Sequence, residues 1–544
     1  MKKIPAEEET MDEQHTHSGI PLKPVYTTDD IQPFDYHQKL NDPGTFPYTR
    51  GIRADLHKRR IWIQRELSGE GGPQKSNEQL QYLIERGQLG IDVIGDGPTN
   101  SLLDPDHPLA KNAIGTQGVS LCCLQDFREL YRDLPIDKLP VSNSLAAFFA
   151  IAALYLVARE RDIPPETLRG SLVQAPFFAE DCGYSTHLPF KLRLRLTADS
   201  ISFCTKEMPK FHSFLEDTYF IREAGLTAVE EMAFGFIEIR YVVRELLKRG
   251  LHIDSFGPRI AILVDCGMDL FEEIAKIRAT RRIFARMMKD EFGSTDPRTQ
   301  AVIIASHTSG LSMTAQQPFN NIVRGSIQTL ALILAEVQAV EISAFDEAFR
   351  IPSKESHLIG LRTQQVIHCE SNVSKVIDPL GGSYYIERLT DEMEKKIVDL
   401  ILDIESQGDP AELSDRGWFK GFFENAMERS ARDIRDRKIL KVGVNIFEMP
   451  QEEDTLLKDI AEEKIEPSWY RIGEIQEYKK SRDQEALRNV LKEIYTLTRE
   501  TDENLMYPII GAIEAGATMG EIAGVMRLAY DHHYDPFGMI ESPL

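Results

Sequence analysis

Asp378-Pro-Leu-Gly-Gly-Ser-Tyr-Tyr-Ile-Glu387 follows the apolar pair Val376-Ile377. A proline and two glycines directly after an apolar run mark a tight turn at the end of a strand. Upstream of that turn the chain is ordered in a repeating way. From about Gly90, short apolar stretches alternate with longer amphipathic ones. The strand-like segments are Ile91–Gly95, Pro140–Leu145, Leu168–Gln174, His212–Leu215, Arg259–Val264, Ala301–Ser306, Gln338–Ser343 and Lys375–Ile377. Helix-like runs such as Ser76–Gln88, Leu145–Glu160, Phe271–Asp290 and Asn321–Val337 lie between them. Eight strands alternating with helices predict an α/β fold, a (β/α)8 TIM barrel.

The expected division is an N-terminal arm over residues 1–45, a barrel over 46–390 and a helical extension over 391–544. Within the extension, Met393–Gln407 and Gln484–Thr498 carry good helix formers with apolar periodicity. Barrel interiors are ordinarily filled by Val, Ile and Leu. Here Val141-Ser-Asn-Ser-Leu145, Gly170-Ser-Leu172 and Ile304-Ala-Ser-His-Thr-Ser-Gly310 are small or hydroxylated. Such residues line a bore left open for an elongated ligand, or else they sit at strand ends where loops need them.

A formal net charge of -23 argues against nucleic acid, whose phosphates need clustered Lys and Arg. Six cysteines without CxxC spacing read as free thiols in a reducing cytoplasm, with no metal site. The apolar run Leu145–Val157 is too short to span a bilayer and reads as a buried helix. The N-terminus has no apolar core of the kind a signal peptide carries.

The opening stretch and Phe46-Pro-Tyr-Thr-Arg-Gly51 together resemble the large, substrate-binding chain of the methylmalonyl-CoA mutase family. The resemblance continues through Ser255-Phe-Gly-Pro-Arg-Ile260, Phe271-Glu-Glu-Ile-Ala-Lys-Ile-Arg-Ala279, Thr308-Ser-Gly-Leu-Ser-Met-Thr-Ala-Gln316, Asn320-Asn-Ile-Val-Arg324 and Phe345-Asp-Glu-Ala-Phe349. It implies radical rearrangement of an acyl-CoA with adenosylcobalamin, the CoA tail threading the barrel. In that family a flavodoxin-like domain holds cobalamin through an Asp-x-His-x-x-Gly motif. Asp531-His-His-Tyr-Asp-Pro-Phe-Gly538 only imitates it, with Pro536 where Gly is required. The expected partner is therefore a separate small cobalamin-binding subunit, in a hetero-oligomer with dimerised large chains. The layout is that of split mutases acting on 2-hydroxyisobutyryl-CoA or isobutyryl-CoA.

Carried over by the resemblance, Arg60, Arg65 and Arg259 hold CoA, and Ser142, Ser144 and Ser171 line the bore. Guanidinium forks suit phosphate because they pair bidentately and stay charged. Glu347 falls at the adenosyl ribose, Glu223 near the corrin face, and Gly310 and Gln117 among the cofactor-facing positions. The departures concern the acyl group. Phe220 replaces the family's catalytic His, Gly183 an arginine that grips a free carboxylate, Leu67 a tyrosine, and Val173 and His307 each a glutamine. With Ile94, these changes imply an apolar acyl pocket, with His307 a candidate substitute for the missing His. An unpaired buried carboxylate is costly, so methylmalonyl-CoA is not the expected substrate. The alternative reading is a catalytically inactive or repurposed barrel that serves as a partner subunit or binds another ligand.

Overall fold

Eight short strands, labelled here in chain order, make one sheet: β1 Ile63–Gln64, β2 Ile91–Ile94, β3 Val141–Ser144, β4 Gly170–Gln174, β5 Phe211–Asp217, β6 Ile260–Cys266, β7 Ile303–Thr308 and β8 Ala339–Glu341. The computed structural model describes residues 14–55, 57–182, 185–462 and 465–544. The sheet order is β1-β8-β7-β6-β5-β4-β3-β2, with helices between successive strands, which is the order of a (β/α)8 barrel. Ser68, just after β1, bridges in parallel to Val93 of β2. Among the described residues no helix is long and apolar enough to cross a membrane.

One expected strand is wrong. Lys375–Ile377 is not in the sheet: Val373–Lys375 is a 3-10 turn and Val376 is largely exposed. The missing strand is β1, two residues long and too short to show a periodicity of its own. The turn at Asp378 therefore leads from a surface loop into the helix Tyr384–Ser406.

The chain divides into two compact units. One comprises Met1–Trp62, Thr218–Ile237 and Leu263–Lys464; the other comprises Ile63–Asp217, Glu238–Ile262 and Ile465–Leu544. In the first, the helix Leu270–Arg286 begins at Asp269, whose carboxylate accepts the Glu272 N–H. It buries Arg278, Arg281 and Arg282, residues three and four apart and hence on one face. The helix Tyr384–Ser406 answers with Glu387, Asp391 and Glu394 at the same spacing. Arg278 donates to Asp378 at 2.8 Å and to Glu387 at 2.6 Å. Arg282 donates to Asp391 at 2.6 Å and to Glu394 at 3.1 Å. Arg50, from the segment Phe46–Gly51, closes on the other oxygen of Asp378 at 2.8 Å.

The Asp378–Glu387 stretch is thus an ionic clasp. A Cβ on Gly381 would collide with the Asp378 carboxylate and lie 3.0 Å from Arg50 Nε. Gly382 takes a φ of 86° and donates its N–H to Glu387.

In the second unit the apolar run Leu145–Val157 falls in the buried helix Ala147–Glu160, packed in one core with Leu487, Leu491 and Ile494 of Gln484–Glu500. Asp535, inside the imitation motif, accepts the N–H groups of Phe537 and Ile540 and faces His107 at 3.2 Å. That stretch ties down the chain's last turn. Between β5 and the helix Ala228–Lys248, Glu216 and Glu238 are both fully buried. Burial and their mutual repulsion push the Glu216 carboxyl well up, and burial raises Glu238 to about 8.

These buried charges make two measurable demands on stability. Arg278→Ala leaves Asp378 with Arg50 alone and takes from Glu387 its nearest cation, and is expected to cost about 3–5 kcal/mol in urea denaturation. The Glu216–Glu238 pair is raised in the folded state, so its contribution is complete below the ordinary carboxyl pKa of 4.5 and is lost as pH climbs toward about 8. The unfolding midpoint should fall across that window, and Glu216→Gln should flatten the fall.

Candidate active site

The inner rungs of β2–β5 carry a row of polar side chains. Register places Asp92 opposite Ser142, Ser142 opposite Ser171, and Ser171 opposite His212. Arg65 lies beside this row, almost fully buried, with Nε 2.9 Å from Asp92. It also donates to Ser142 Oγ, which sits 2.8 Å from Ser171 Oγ. His212 Nδ1 is buried without a hydrogen-bond partner, and burial beside Arg259 lowers the ring to about 4.

Alternation along these strands shows which face is open. Val93, Asn143 and Leu172 are fully buried, whereas Ile94, Ser144, Ser171 and Val173 are only half-buried. Of the hydroxyls, Ser171 is half-buried near the start of β4, Ser144 is half-buried at the end of β3, and Ser142 is buried between them and Arg65. Arg60 is exposed, and Leu67 is half-buried just after β1. Arg259 donates to the Pro209 carbonyl at 2.6 Å, and Gln117 is exposed on a loop. Gly183 lies outside the described residues.

A second group stands in the other unit, at the C-terminal ends of β7 and β8 and on the helix Thr218–Glu223. It brings together Phe220, Glu223, His307, Gly310 and Glu347. The Tyr219 ring packs on His307 at 4.8 Å and on Phe220 at 5.5 Å. Glu223 accepts Ser309 Oγ and the Leu311 N–H, both at 2.6 Å. Glu347 accepts the Ala344 N–H at 3.0 Å.

The three acidic or phenolic side chains converge on Gly310. A Cβ there would lie 3.2 Å from both Glu223 Oε2 and Glu347 Oε1, and 3.3 Å from the Tyr219 hydroxyl. Burial raises both carboxyls, and Glu347 raises Glu223 further, while nearby His307 works against both shifts. His307 Nδ1 faces the Thr308 carbonyl at 2.9 Å, a contact only a protonated nitrogen satisfies.

Sequence reasoning missed what holds this group. Lys276, fully buried, reaches Glu231 at 2.8 Å, Glu273 at 2.5 Å and the Asp265 carbonyl at 2.7 Å. Arg222, on the same short helix as Phe220, lies 3.6 Å from Asp265 and 3.5 Å from Glu273. Thr218 Oγ1 ties the start of that helix to Glu231. The two cations face Glu231, Glu273 and Asp265, and burial together with the nearby Glu223 raises the Asp265 carboxyl well above its ordinary range. The available signal was a lone Asp closing the apolar strand Ile260–Cys266 and a lone Lys among apolar neighbours.

Among the described residues one grouping has metal-ligand spacing, Cys122, Cys123 and Asp126. Its carboxylate is spent on the Cys122 N–H at 2.8 Å and on Arg471 at 2.7 Å. It acts as a helix cap.

Buried carboxylates gathered around a glycine at the C-terminal ends of parallel barrel strands define the site of a barrel enzyme. Similarity to known proteins identifies which. The model of the methylmalonyl-CoA mutase family matches residues 15–532, and the chain belongs to that family of intramolecular transferases. It is 33% identical to the 2-hydroxyisobutanoyl-CoA mutase large subunit of Aquincola tertiaricarbonis, over 97% of this chain and 93% of that one. It is 32% identical to the methylmalonyl-CoA mutase of Escherichia coli (98% and 75%). With the methylmalonyl-CoA mutase large subunit of Streptomyces virginiae the identity is 30% (95% and 71%).

Lys276→Met is expected to lower stability by about 3–5 kcal/mol, because Glu231 and Glu273 lose their cation. Asp265→Asn, at a carboxyl that burial already holds well above its ordinary range, should change it by less than about 1 kcal/mol. Denaturant titration of the two variants compares them directly.

Proposed function

We propose that this chain is the large subunit of an adenosylcobalamin-dependent acyl-CoA mutase whose substrate is a branched acyl-CoA without a second carboxylate. The observation that carries the reading is the convergence of Glu223, Glu347 and Tyr219 on Gly310. The missing Cβ leaves a cradle ringed by acceptor oxygens, which suits a hydroxylated ligand. Glu347 would hold the adenosyl ribose and Glu223 would face the corrin. When bound, adenosylcobalamin supplies hydrogen-abstracting radical chemistry, which no side chain offers. The chain's part is to bind, orient and exclude water.

Phe220 can neither polarise a thioester carbonyl nor carry a proton. His307, whose Nδ1 is spent on the Thr308 carbonyl, leaves Nε2 for a polar substituent such as a hydroxyl on the acyl group. The name of the Aquincola relative points the same way. In the proposed reading the Ser142–Ser171 hydroxyls bond the pantetheine amides, while Arg65 holds the serine row in place.

A separate small subunit as cofactor carrier is supported by an apolar surface beside the cradle. Leu311, Phe319, Val323, Leu440, Val442 and Phe447 are all well exposed. Their two segments are joined by bonds from Gln317 to the Phe447 carbonyl and from Lys441 to that of Leu311. Apolar groups exposed together mark a contact surface. The competing reading, a repurposed barrel, draws on Phe220 and on Arg65 being paired with Asp92.

The test combines the chain, its small subunit, adenosylcobalamin and a panel of acyl-CoA esters. Isomerisation of 2-hydroxyisobutyryl-CoA or another branched ester is expected, with no turnover of methylmalonyl-CoA. Gly310→Ala, which fills the cradle, should lower turnover at least about tenfold while leaving the circular dichroism spectrum unchanged. Absence of turnover across the panel with cofactor binding verified would establish the repurposed reading instead.

A further inference from the structure

The rung formed by Asp92, Ser142, Ser171 and His212 in the second unit holds one acid, and that acid is buried. A carboxylate inside a barrel is costly unless a cation meets it. Arg65 meets it through Nε at 2.9 Å and through Nη1 donates to Ser142 Oγ. Ser142 Oγ in turn lies 2.8 Å from Ser171 Oγ. Asp92, Arg65 and Ser142 are each 3% exposed, so the pair is internal and not a surface contact.

The charge on Asp92 offsets the charge on Arg65. Burial and the nearby Arg259 hold His212 to about 4, so its ring is neutral at neutral pH. Arg259 itself lies just before β6 and donates to the Pro209 carbonyl at 2.6 Å. What the rung offers besides the ion pair is two hydroxyls and a neutral imidazole, groups that form hydrogen bonds without carrying charge. Two residues further along the strands, Ile94 stands opposite Ser144 and Val173 opposite Leu215. The rung is therefore polar but uncharged overall, and the next one is mostly apolar.

Without Asp92 the rung would carry an uncancelled guanidinium, which is a strong ligand for phosphate. We propose that Asp92 is a specificity-determining residue. By holding and neutralising Arg65, it makes this rung select an uncharged, amide-bearing section of the ligand and turn phosphate away. Specificity of this kind comes from what a site rejects as well as from what it holds. The inference rests on the mutase reading, in which the section concerned is the pantetheine arm. Asp92 acts through Arg65 and Ser142, so its part is positioning and not catalysis.

The test is calorimetry and thermal unfolding on the full-length chain alone. The probes are S-butyryl-pantetheine, butyryl-CoA and inorganic phosphate. The parent is expected to bind both esters, and phosphate is expected to leave its unfolding midpoint unchanged. Asp92→Asn keeps the size of the side chain and removes its charge. It should bind S-butyryl-pantetheine at least about tenfold more weakly, and phosphate should raise its midpoint by about 3 °C or more. Asp92→Glu restores the charge and should return the affinity to within about threefold while abolishing the response to phosphate. A purely structural role for Asp92 gives the Asn variant no such response.

If Asp92→Asn does not fold in phosphate-free buffer, refolding in phosphate supports the proposal and failure to refold there overturns it. A folded Asp92→Asn whose ester affinity stays within about threefold of the parent, or whose midpoint phosphate leaves unmoved, also overturns it. A parent that binds neither ester overturns the mutase reading of the rung, and the phosphate response of Asp92→Asn still decides the role of Asp92.

Discussion

The helix Leu270–Arg286 turns three arginines inward; Arg281 donates to the carbonyls of Ala335 and Glu336, while Arg278 and Arg282 depend on carboxylates to meet them. Everything around that helix is arranged to supply them. Glu387, Asp391 and Glu394 come from one neighbouring helix and Asp378 from the turn before it, while Arg50 shares Asp378 from the far end of the chain. Such a lattice contributes little net stability compared with an apolar core of equal volume, but it admits few alternative pairings. The same helix carries Lys276, so the elements that bear Phe220 and Glu223 are positioned from the clasp outward.

The cluster around Lys276 and the cradle around Gly310 divide the work in the first unit. One is fully buried, and it fixes the short helix Thr218–Glu223. The other leaves its carboxylates facing a space where a side-chain atom is missing. In the second unit Arg65 relates to Asp92 and the serine row much as Lys276 relates to its acids: a buried cation orders the groups that present hydroxyls to the inner face.

Much of this is legible in the sequence, unevenly. Seven strands are readable because each falls in a regular alternation with longer amphipathic runs. β1 is not, since two residues show no period, and Val376-Ile377 imitates a strand at the surface. Phe220, Glu223, His307, Gly310 and Glu347 can be named because each sits in a recognisable motif, and the structure gathers them. The partners of Arg65, Lys276 and Arg222 cannot, because pairing between residues tens to hundreds of positions apart leaves no local pattern. Residue type and family position assign Arg65 to CoA, whereas in the folded chain its guanidinium is committed to Asp92 and Ser142.

The clasp also has a consequence in time. Arg278 and Asp378 are 100 residues apart, and Arg50 and Asp378 are 328 apart. At a synthesis rate of about 5–20 residues per second, the arginine face of Leu270–Arg286 emerges about 5–20 s before its first carboxylate exists. The nascent chain therefore passes through a stage in which this helix is cationic and unsatisfied, and the barrel's later half can lock only after the Asp378 turn has left the ribosome.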